Sequence, residues 1–464
     1  MARGLDISLH VPVTSVPQFK QQRKMFQRLI QGYEDQKARI HRLSREGGWI
    51  VAGQAASVLG ALVLVRMLTA YLDPAEYGQL ALGLTMATLV NQVVMGGLIA
   101  GIGRFYSIAT EKGDLWGYLR AARRMLLVAT VVVVGLGTIL IGALAVANMH
   151  HWLWLVTAIL VLSIVSSYNS ALTGVQNAAR QRAIVALHGG MDAWLKIGLV
   201  VGVMLWLGTD SAAVAVGYAL SAFIVTVSQF IFFKRLIAKQ GASNTHASSE
   251  NWTGQMWLFS WPFSVWGIFT WGQQASERWA LERFASTSDV GQYTVVFQLG
   301  YMPITILLGL MMMLIGPILY QRSGDTSDLI RNASVQNIAW KVTKFSITLT
   351  IFGFLAASLW HKWIFHWLVA EPFRESSFLL PWVMLAGGIF SSGQILALKM
   401  MSELRPKLLL VAKVATAVLG IVANIVGAWL YGTEGVVGAS LFFSVSYFCW
   451  VAFLANLPPQ KQLV

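Results

Sequence analysis

Three ionisable residues recur at helical spacing within one long apolar stretch: His188, Asp192 and Lys196. Residues four apart lie on one face of an α-helix, and an acid that precedes a base is the favourable order for an ion pair. If the stretch crosses a membrane, such charges are costly and indicate a functional site. We predict that Asp192 and Lys196 line a cavity and bind a sugar, a phosphate group or a cation. His188, one turn earlier on the same stripe, is a candidate third member of a proton relay. The alternative is a neutralised pair and a packing histidine that stabilise the helix bundle.

A second group of charged residues lies near the ends of other apolar stretches. Arg66 and the adjacent pair Glu277 and Arg278 are candidates for contact with a phosphate group, because a guanidinium donates two parallel hydrogen bonds to such an anion. The alternative is an arginine that anchors its helix at the membrane surface. Lys413 lies inside an apolar stretch, where it is a further binding candidate unless its ammonium extends to the surface.

Tryptophans are dense between residues 257 and 279. Trp257 and Trp279 fit an aromatic belt at the membrane surface. Trp266 and Trp271 lie deeper and are the candidates for stacking on sugar rings. The alternative is ordinary packing between helices.

The composition indicates the kind of elements that must hold these residues. Of 464 residues, 56% are hydrophobic and only 12% are charged, whereas a soluble chain carries about 25% charged residues. A water-soluble body is therefore excluded, and so is a disordered chain, which would be poor in apolar residues. The sequence predicts an all-α integral membrane protein.

About 20 apolar residues span the hydrocarbon core as a helix. The sequence contains twelve stretches of that size, and each predicts one membrane-spanning helix, called a span below. They lie near residues 48–71, 77–103, 125–148, 152–176, 184–207, 211–233, 256–276, 290–320, 343–368, 377–399, 406–430 and 435–457.

The basic residues predict the orientation of these spans. With the N-terminus inside, 27 of the 34 Lys and Arg residues fall on the inner side, five fall on the outer side and two lie within spans. Such a bias is typical of cytoplasmic loops. Both termini are predicted to be cytoplasmic, and the net charge of +14 reflects topology rather than nucleic-acid binding.

A short internal repeat divides the chain. Glu76-Tyr-Gly-Gln79 and Asp289-Val-Gly-Gln292 match at an offset of 213 residues, with six spans from one copy to the next. Two six-helix halves are a common plan for transporters. The predicted organisation, in chain order, is a basic cytoplasmic segment (1–47), an N-lobe (48–236), a cytoplasmic linker (237–255), a C-lobe (256–457) and a tail (458–464).

These junctions carry a family resemblance. The segments Arg66-Met-Leu-Thr69 and Leu72-Asp-Pro-Ala-Glu-Tyr-Gly78 resemble the opening of bacterial polysaccharide transporters. Those are the Wzx-type O-antigen flippases of the multidrug/oligosaccharidyl-lipid/polysaccharide flippase superfamily. Glu277-Arg278 followed by Asp289-Val-Gly-Gln-Tyr293 is similar to that family's junction between spans seven and eight. The span plan agrees over residues 48–457, whereas the basic segment 1–47 is longer than the family's short leader.

The resemblance implies two lobes in a V that open alternately to the two sides of the bacterial inner membrane. It implies a flippase that moves undecaprenyl-pyrophosphate-linked oligosaccharide repeat units to the outer leaflet during surface or exopolysaccharide biosynthesis. The expected partners are this lipid-linked substrate, membrane lipids, H⁺ or Na⁺ as coupling ions, and other polysaccharide-assembly proteins. Nucleic acid is not an expected partner.

The sequence offers no support for an enzyme or a resident cofactor. It contains no His-Glu-x-x-His motif, no nucleophile elbow and no cysteine-histidine metal spacing, and its single cysteine is Cys449. The alternatives are a cation-coupled multidrug-and-toxin exporter of the same superfamily, a lipid II flippase, for which fourteen spans are expected, and a non-transporting membrane scaffold.

Overall fold

The long apolar stretches form α-helices, because a backbone surrounded by lipid must satisfy its hydrogen bonds within its own segment. The computed structural model describes residues 47–239, 250–323, 329–402 and 406–457. Nearly all of these residues are helical, and none of them lies in a strand. The predicted all-α membrane fold is confirmed.

The helices follow one another through short connections. In chain order they are α1 (Gly47–Tyr71), α2 (Pro74–Leu89), α3 (Gly96–Glu111), α4 (Leu115–Val146), α5 (His150–Ala178), α6 (Arg182–Leu207), α7 (Ser211–Lys239), α8 (Trp252–Phe284), α9 (Thr287–Ser323), α10 (Leu329–Leu368), α11 (Leu380–Ser402) and α12 (Pro406–Asn456). A π-helical segment, Val90–Val94, separates α2 from α3, and two 3₁₀ turns, Glu371–Phe373 and Glu375–Leu379, precede α11.

Residues 1–52 and 53–464 form two compact units. The first unit is described only at residues 47–52, where α1 begins. The predicted basic segment therefore lies almost wholly outside the described residues. Residues 240–249 of the predicted linker and the tail 458–464 also lie outside them. The division into lobes 48–236 and 256–457 stays a prediction.

The helices follow the predicted spans in order, but α4 and α10 begin ten and fourteen residues before the predicted bounds, and three other places differ. Within the described residues, nine helices are long and apolar enough to cross a membrane, and the pair α2 and α3, bent by 46°, forms a tenth candidate. Helix α12 is broken at Gly432, whose φ of 55° is non-helical, so its 51 residues comprise two of the predicted spans. Helix α8 has 33 residues but is not among the helices apolar enough to cross a membrane, because Trp, Ser, Gly and Gln residues are frequent along it. The count of twelve stays a prediction.

Both copies of the internal repeat begin a helix. Asp73 caps α2 by accepting a hydrogen bond from the backbone N–H of Glu76 at 2.8 Å, and Pro74 occupies the first turn. Ser286 caps α9, where its Oγ accepts a hydrogen bond from the backbone N–H of Asp289 at 3.1 Å. Side-chain oxygens at these positions satisfy amide groups that have no partner inside the helix. The repeat is therefore a signal for the start of a helix.

The two copies also pack directly against each other. A Cβ atom on Gly78 would overlap the carbonyl oxygen of Thr287, and a Cβ atom on Gly291 would overlap the carbonyl oxygen of Pro74. These four residues form two equivalent pairs, since the repeat offset relates Gly78 to Gly291 and Pro74 to Thr287. Only glycine allows backbones to approach this closely. We call these four residues the repeat contact, and it lies at the end of the bundle that is predicted to face outward.

Helix α8 packs along helices of the first half of the chain. Gly97 and Gly101 of α3 lie so close to Ser260 that a Cβ atom on either glycine would overlap it, as expected for small residues at a helix interface. The buried Trp252 donates a hydrogen bond from Nε1 to Asp114 at 2.7 Å. Close to Trp252, the Lys112 ammonium donates a hydrogen bond to the Glu250 carboxyl at 2.7 Å. This hydrogen bond holds the pKa of Glu250 below its usual range.

Candidate functional site

A cavity of about 240 Å³ lies between α8, α11 and both parts of α12. Its wall combines aromatic rings with amide, hydroxyl and ammonium groups, a mixture that suits a ligand with both apolar and polar faces. The lining residues are Trp266, Phe269, Thr270, Gln273, Gln274, Phe390, Gln394, Leu410, Lys413, Val414, Thr416, Ala417, Phe443 and Tyr447. Two of the residues predicted from sequence, Trp266 and Lys413, are brought together here.

The ammonium group of Lys413 lies over the face of Trp266, with Nζ 4.1 Å from the ring centroid. Within the described part of the chain the two ion pairs are Lys112–Glu250 and Lys196–Asp192, so Lys413 has no carboxylate partner there. The wall of the cavity contains no Asp or Glu. A half-buried cation without an acidic partner favours an anionic or strongly polar ligand.

Tyr447 contributes a second polar group, a hydroxyl that can still form a hydrogen bond. Its side chain is 1% exposed, and its hydroxyl has no hydrogen-bond partner among the described residues. Buried hydroxyl groups are normally paired, so an unpaired one in a cavity wall fits a ligand contact. Gln274 accepts a hydrogen bond at 3.3 Å from Gln92 of the π-helical segment, which ties the cavity to the first half of the chain.

The predicted pair on α6 has the expected geometry. Lys196 Nζ lies 2.5 Å from Asp192 Oδ2, and each side chain is 26% exposed. Ser221 of α7 donates a hydrogen bond to Asp192 Oδ1 at 3.1 Å, and Lys196 lies over the ring of Tyr218 at 5.6 Å. The pair is therefore partly satisfied by α7 while remaining partly accessible.

His188 is turned into the protein interior. The side chain is fully buried, with Nδ1 2.8 Å from the carbonyl oxygen of Ile184 and Nε2 3.0 Å from Ser228 Oγ. These contacts use both ring nitrogens, and no hydrogen bond joins His188 to Asp192 among the described residues. The surroundings match those of a packing histidine.

The charged residues near the helix ends have different surroundings. Arg66 is exposed on α1, whereas Arg278 donates a hydrogen bond to Thr294 at 3.3 Å and lies 5.0 Å from the ring centroid of Phe297. Glu277 is 3% exposed and accepts hydrogen bonds from Tyr293 and Ser440, each at 2.7 Å. Glu277 is thus a buried carboxyl held by two hydroxyl groups.

The two deep tryptophans occupy different environments. Trp266 faces the cavity, whereas Trp271 donates a hydrogen bond from Nε1 to the carbonyl oxygen of Thr85 at 2.8 Å. Trp279 donates to the hydroxyl group of the same Thr85 at 2.9 Å. Trp271 therefore joins α8 to α2, and Trp266 is the ring available to a ligand.

Gln394 and Tyr447 belong to the site but were not predicted from the sequence. Each lies in an apolar run, and only the packing of α11 and α12 against α8 brings it to Lys413. In the described residues no cluster of three His, Cys, Asp or Glu side chains could hold a metal ion.

Comparisons with known proteins agree with this architecture. Residues 43–321, more than half of the chain, match the model of a family described as polysaccharide biosynthesis protein. No curated protein sequence matches the chain.

Among solved structures, the chain is similar to the lipid II flippase MurJ in an inward closed conformation, with a TM-score of 0.68 and 11% identity over 88% of this chain and 87% of that one. It is also similar to an inward-facing multidrug resistance MATE family transporter of the MOP superfamily, with a TM-score of 0.60 and 11% identity over 88% and 98% of the two chains.

A MOP superfamily transporter from Pyrococcus furiosus, described as having a binding pocket of reverse polarity, gives a TM-score of 0.58 at 11% identity over 90% and 97% of the chains. At these identities the similarity establishes the fold, which is shared with membrane flippases and transporters. With the match over residues 43–321, the chain is a multi-pass membrane protein that belongs to the polysaccharide biosynthesis protein family.

Proposed function

We propose that the protein is a flippase that moves undecaprenyl-pyrophosphate-linked oligosaccharide repeat units across the bacterial inner membrane, from the cytoplasmic to the outer leaflet. The family match and the flippase-like fold support this proposal. The same findings point to transport rather than catalysis.

The observation that carries the proposal is the cavity around Lys413. Lys413 lies over one face of the Trp266 ring, so a pyranose ring would stack on the opposite face. The amide groups of Gln273 and Gln394 can exchange hydrogen bonds with sugar hydroxyls. Lys413, which lacks a carboxylate partner in the described residues, supplies a positive charge for an acidic sugar or a phosphate group. The lipid tail of such a substrate would remain in the bilayer.

Transport requires that the cavity open to each side in turn. The repeat contact closes the end of the bundle that is predicted to face outward. Because backbone packs directly against backbone there, it leaves no room for a substrate to pass. We infer that separation of Gly78 from Thr287, and of Gly291 from Pro74, accompanies opening toward the outer leaflet.

Glu277 is the strongest candidate for coupling to H⁺ or Na⁺. Its carboxyl group is buried and accepts hydrogen bonds from Tyr293 of α9 and Ser440 of α12, so a change in its charge would alter both contacts. Binding of a proton or a cation at this position would therefore change the packing of α8 against α9 and α12.

The second candidate function is a cation-coupled multidrug-and-toxin exporter, which the similarity to the MATE transporter and the buried Glu277 favour. Such an exporter needs acidic residues where its cationic substrate binds. The cavity wall contains Lys413 and no Asp or Glu, so the oligosaccharide flippase is preferred.

Transport can be measured directly with the full chain in proteoliposomes. A fluorescent polyprenyl-diphosphate-linked oligosaccharide should move between leaflets faster than in protein-free vesicles, as read by quenching of the outward-facing label. An organic cation should not accumulate in the same vesicles. Cation accumulation without movement of the labelled lipid would support the exporter instead.

The pair on α6 is tested by replacing both charges together. Asp192→Asn or Lys196→Met alone leaves one partly buried charge without its partner and should cost about 1–3 kcal/mol of stability. The double variant Asp192→Asn/Lys196→Met leaves neither charge unpaired, so it avoids this loss of stability. If the pair binds substrate or a coupling ion, the double variant should fold normally and transport less than a tenth of the wild-type amount in the vesicle assay. Recovery of full transport in the double variant would indicate a structural role.

A further inference from the structure

A second and larger cavity lies outside the Lys413 site, on the flank formed by α4, α5 and α7. Its volume is about 670 Å³, and its wall is almost entirely apolar. It shares no lining residue with the cavity around Lys413. Representative wall residues are Trp116, Arg123, Tyr168, Phe223, Phe230 and Phe233.

The position of this groove along the helices matches one leaflet of a membrane. On α5 it extends from Ile164 to Val175, about 16 Å at the rise of an α-helix. That length is half of a hydrocarbon core about 30 Å thick. Val175 lies near the end of α5 and Trp116 near the start of α4, and both ends are on the side that the charge distribution predicts to be cytoplasmic.

Basic residues stand at that end of the groove. Arg123 is part of the wall, and Lys234 places its Nζ 4.9 Å from the ring centroid of Phe230, another wall residue. Both side chains are exposed, and neither belongs to an ion pair within the described part of the chain. An apolar groove about one leaflet deep with such cations at its mouth complements a hydrocarbon chain attached to a phosphate group.

We propose that this groove binds an anionic glycerophospholipid of the cytoplasmic leaflet, with one acyl chain against the aromatic wall and the phosphate group at Arg123 and Lys234. Basic pockets between transmembrane helices on the cytoplasmic side bind anionic headgroups in this way. A zwitterionic lipid would gain less, because its own cation opposes the two side chains. The site would anchor the first half of the chain to the lipid of one leaflet. The Lys413 cavity, which is proposed to bind the transported substrate, is separate from it.

Binding is measured on the full chain in detergent by native mass spectrometry, with phosphatidylglycerol and phosphatidylcholine as probes. The variant Arg123→Gln/Lys234→Gln should bind phosphatidylglycerol roughly 10- to 30-fold more weakly and phosphatidylcholine as before. The matched control, Lys341→Gln/Lys344→Gln on α10, removes the same charge far along the chain and should bind like the wild type. A second variant, Val227→Trp, fills the groove from an exposed wall position and should lower phosphatidylglycerol binding with all charges in place.

Equal loss in the control and test variants would contradict the site, as would equal affinity of the wild type for the two phospholipids. Displacement of bound phosphatidylglycerol by an equimolar polyprenyl phosphate would assign the groove to the lipid anchor of the cargo and overturn the proposed occupant. None of these outcomes depends on transport activity, so the test stands apart from the proposed function.

Discussion

Replacing Gly78 or Gly291 by alanine should destabilise the state in which the repeat contact is closed and reduce transport about tenfold or more. The new methyl group at either position would overlap a backbone carbonyl oxygen, of Thr287 or of Pro74. A backbone cannot move aside as a flexible side chain can, and overpacking of this kind typically costs about 1–3 kcal/mol. The apparent melting temperature in detergent should fall by a few degrees.

Two other helical glycines provide matched controls for this effect. A Cβ atom on Gly309 in α9 or on Gly438 in α12 would have no other group within 4 Å, so both positions face open space. Gly309→Ala and Gly438→Ala should therefore melt and transport like the wild type, since alanine favours a helix over glycine. If all four variants behaved alike, the repeat contact would have no special role.

Replacing Lys413 by methionine should reduce transport at least tenfold while leaving stability unchanged or slightly increased. Methionine keeps the length and the apolar stem but removes the charge over Trp266. Lys413 has no carboxylate partner in the described residues, so its replacement breaks no ion pair among them. A hydrogen bond to a charged group is worth about 1.5–3 kcal/mol, which corresponds to at least a tenfold loss of affinity for the anionic part of a substrate.

The charge-preserving variant Lys413→Arg should retain most of the transport, because arginine also lies over aromatic rings and binds phosphate. Lys344→Met, on the exposed surface of α10, removes an equal charge outside the cavity and should have no effect. Rates are compared in the proteoliposome assay, and folding by size-exclusion profile and melting temperature. Full activity of Lys413→Met would remove this cavity from the transport path.

Features set by local sequence were predictable. The i, i+4 spacing of Asp192 and Lys196 produced the ion pair, and the acid-x-Gly-Gln repeat marked two helix starts, because capping and helical periodicity depend on a few adjacent residues. The apolar stretches likewise predicted the helices, since backbone polarity leaves few other structures in lipid.

Features set by packing between distant segments could not be predicted from the sequence. His188 lies on the stripe of Asp192, yet contact with Ser228 directs it into the interior. Trp271 resembles Trp266 in sequence context, but its Nε1 is taken by Thr85 in the first half of the chain. Tyr447 reaches the site only because α12 folds back at Gly432. No periodicity within one segment contains that information.

Transport of a lipid-linked oligosaccharide is tested most directly in cells that lack the gene. Lipid-linked intermediates are extracted from the deletion strain and assigned to a leaflet by their accessibility to a membrane-impermeant glycosidase in oriented vesicles. We predict that an oligosaccharide linked to polyprenyl diphosphate accumulates on the cytoplasmic face, and that the wild-type gene but not Lys413→Met restores its export. An unchanged glycolipid pool together with increased sensitivity to cationic drugs would contradict the proposed function.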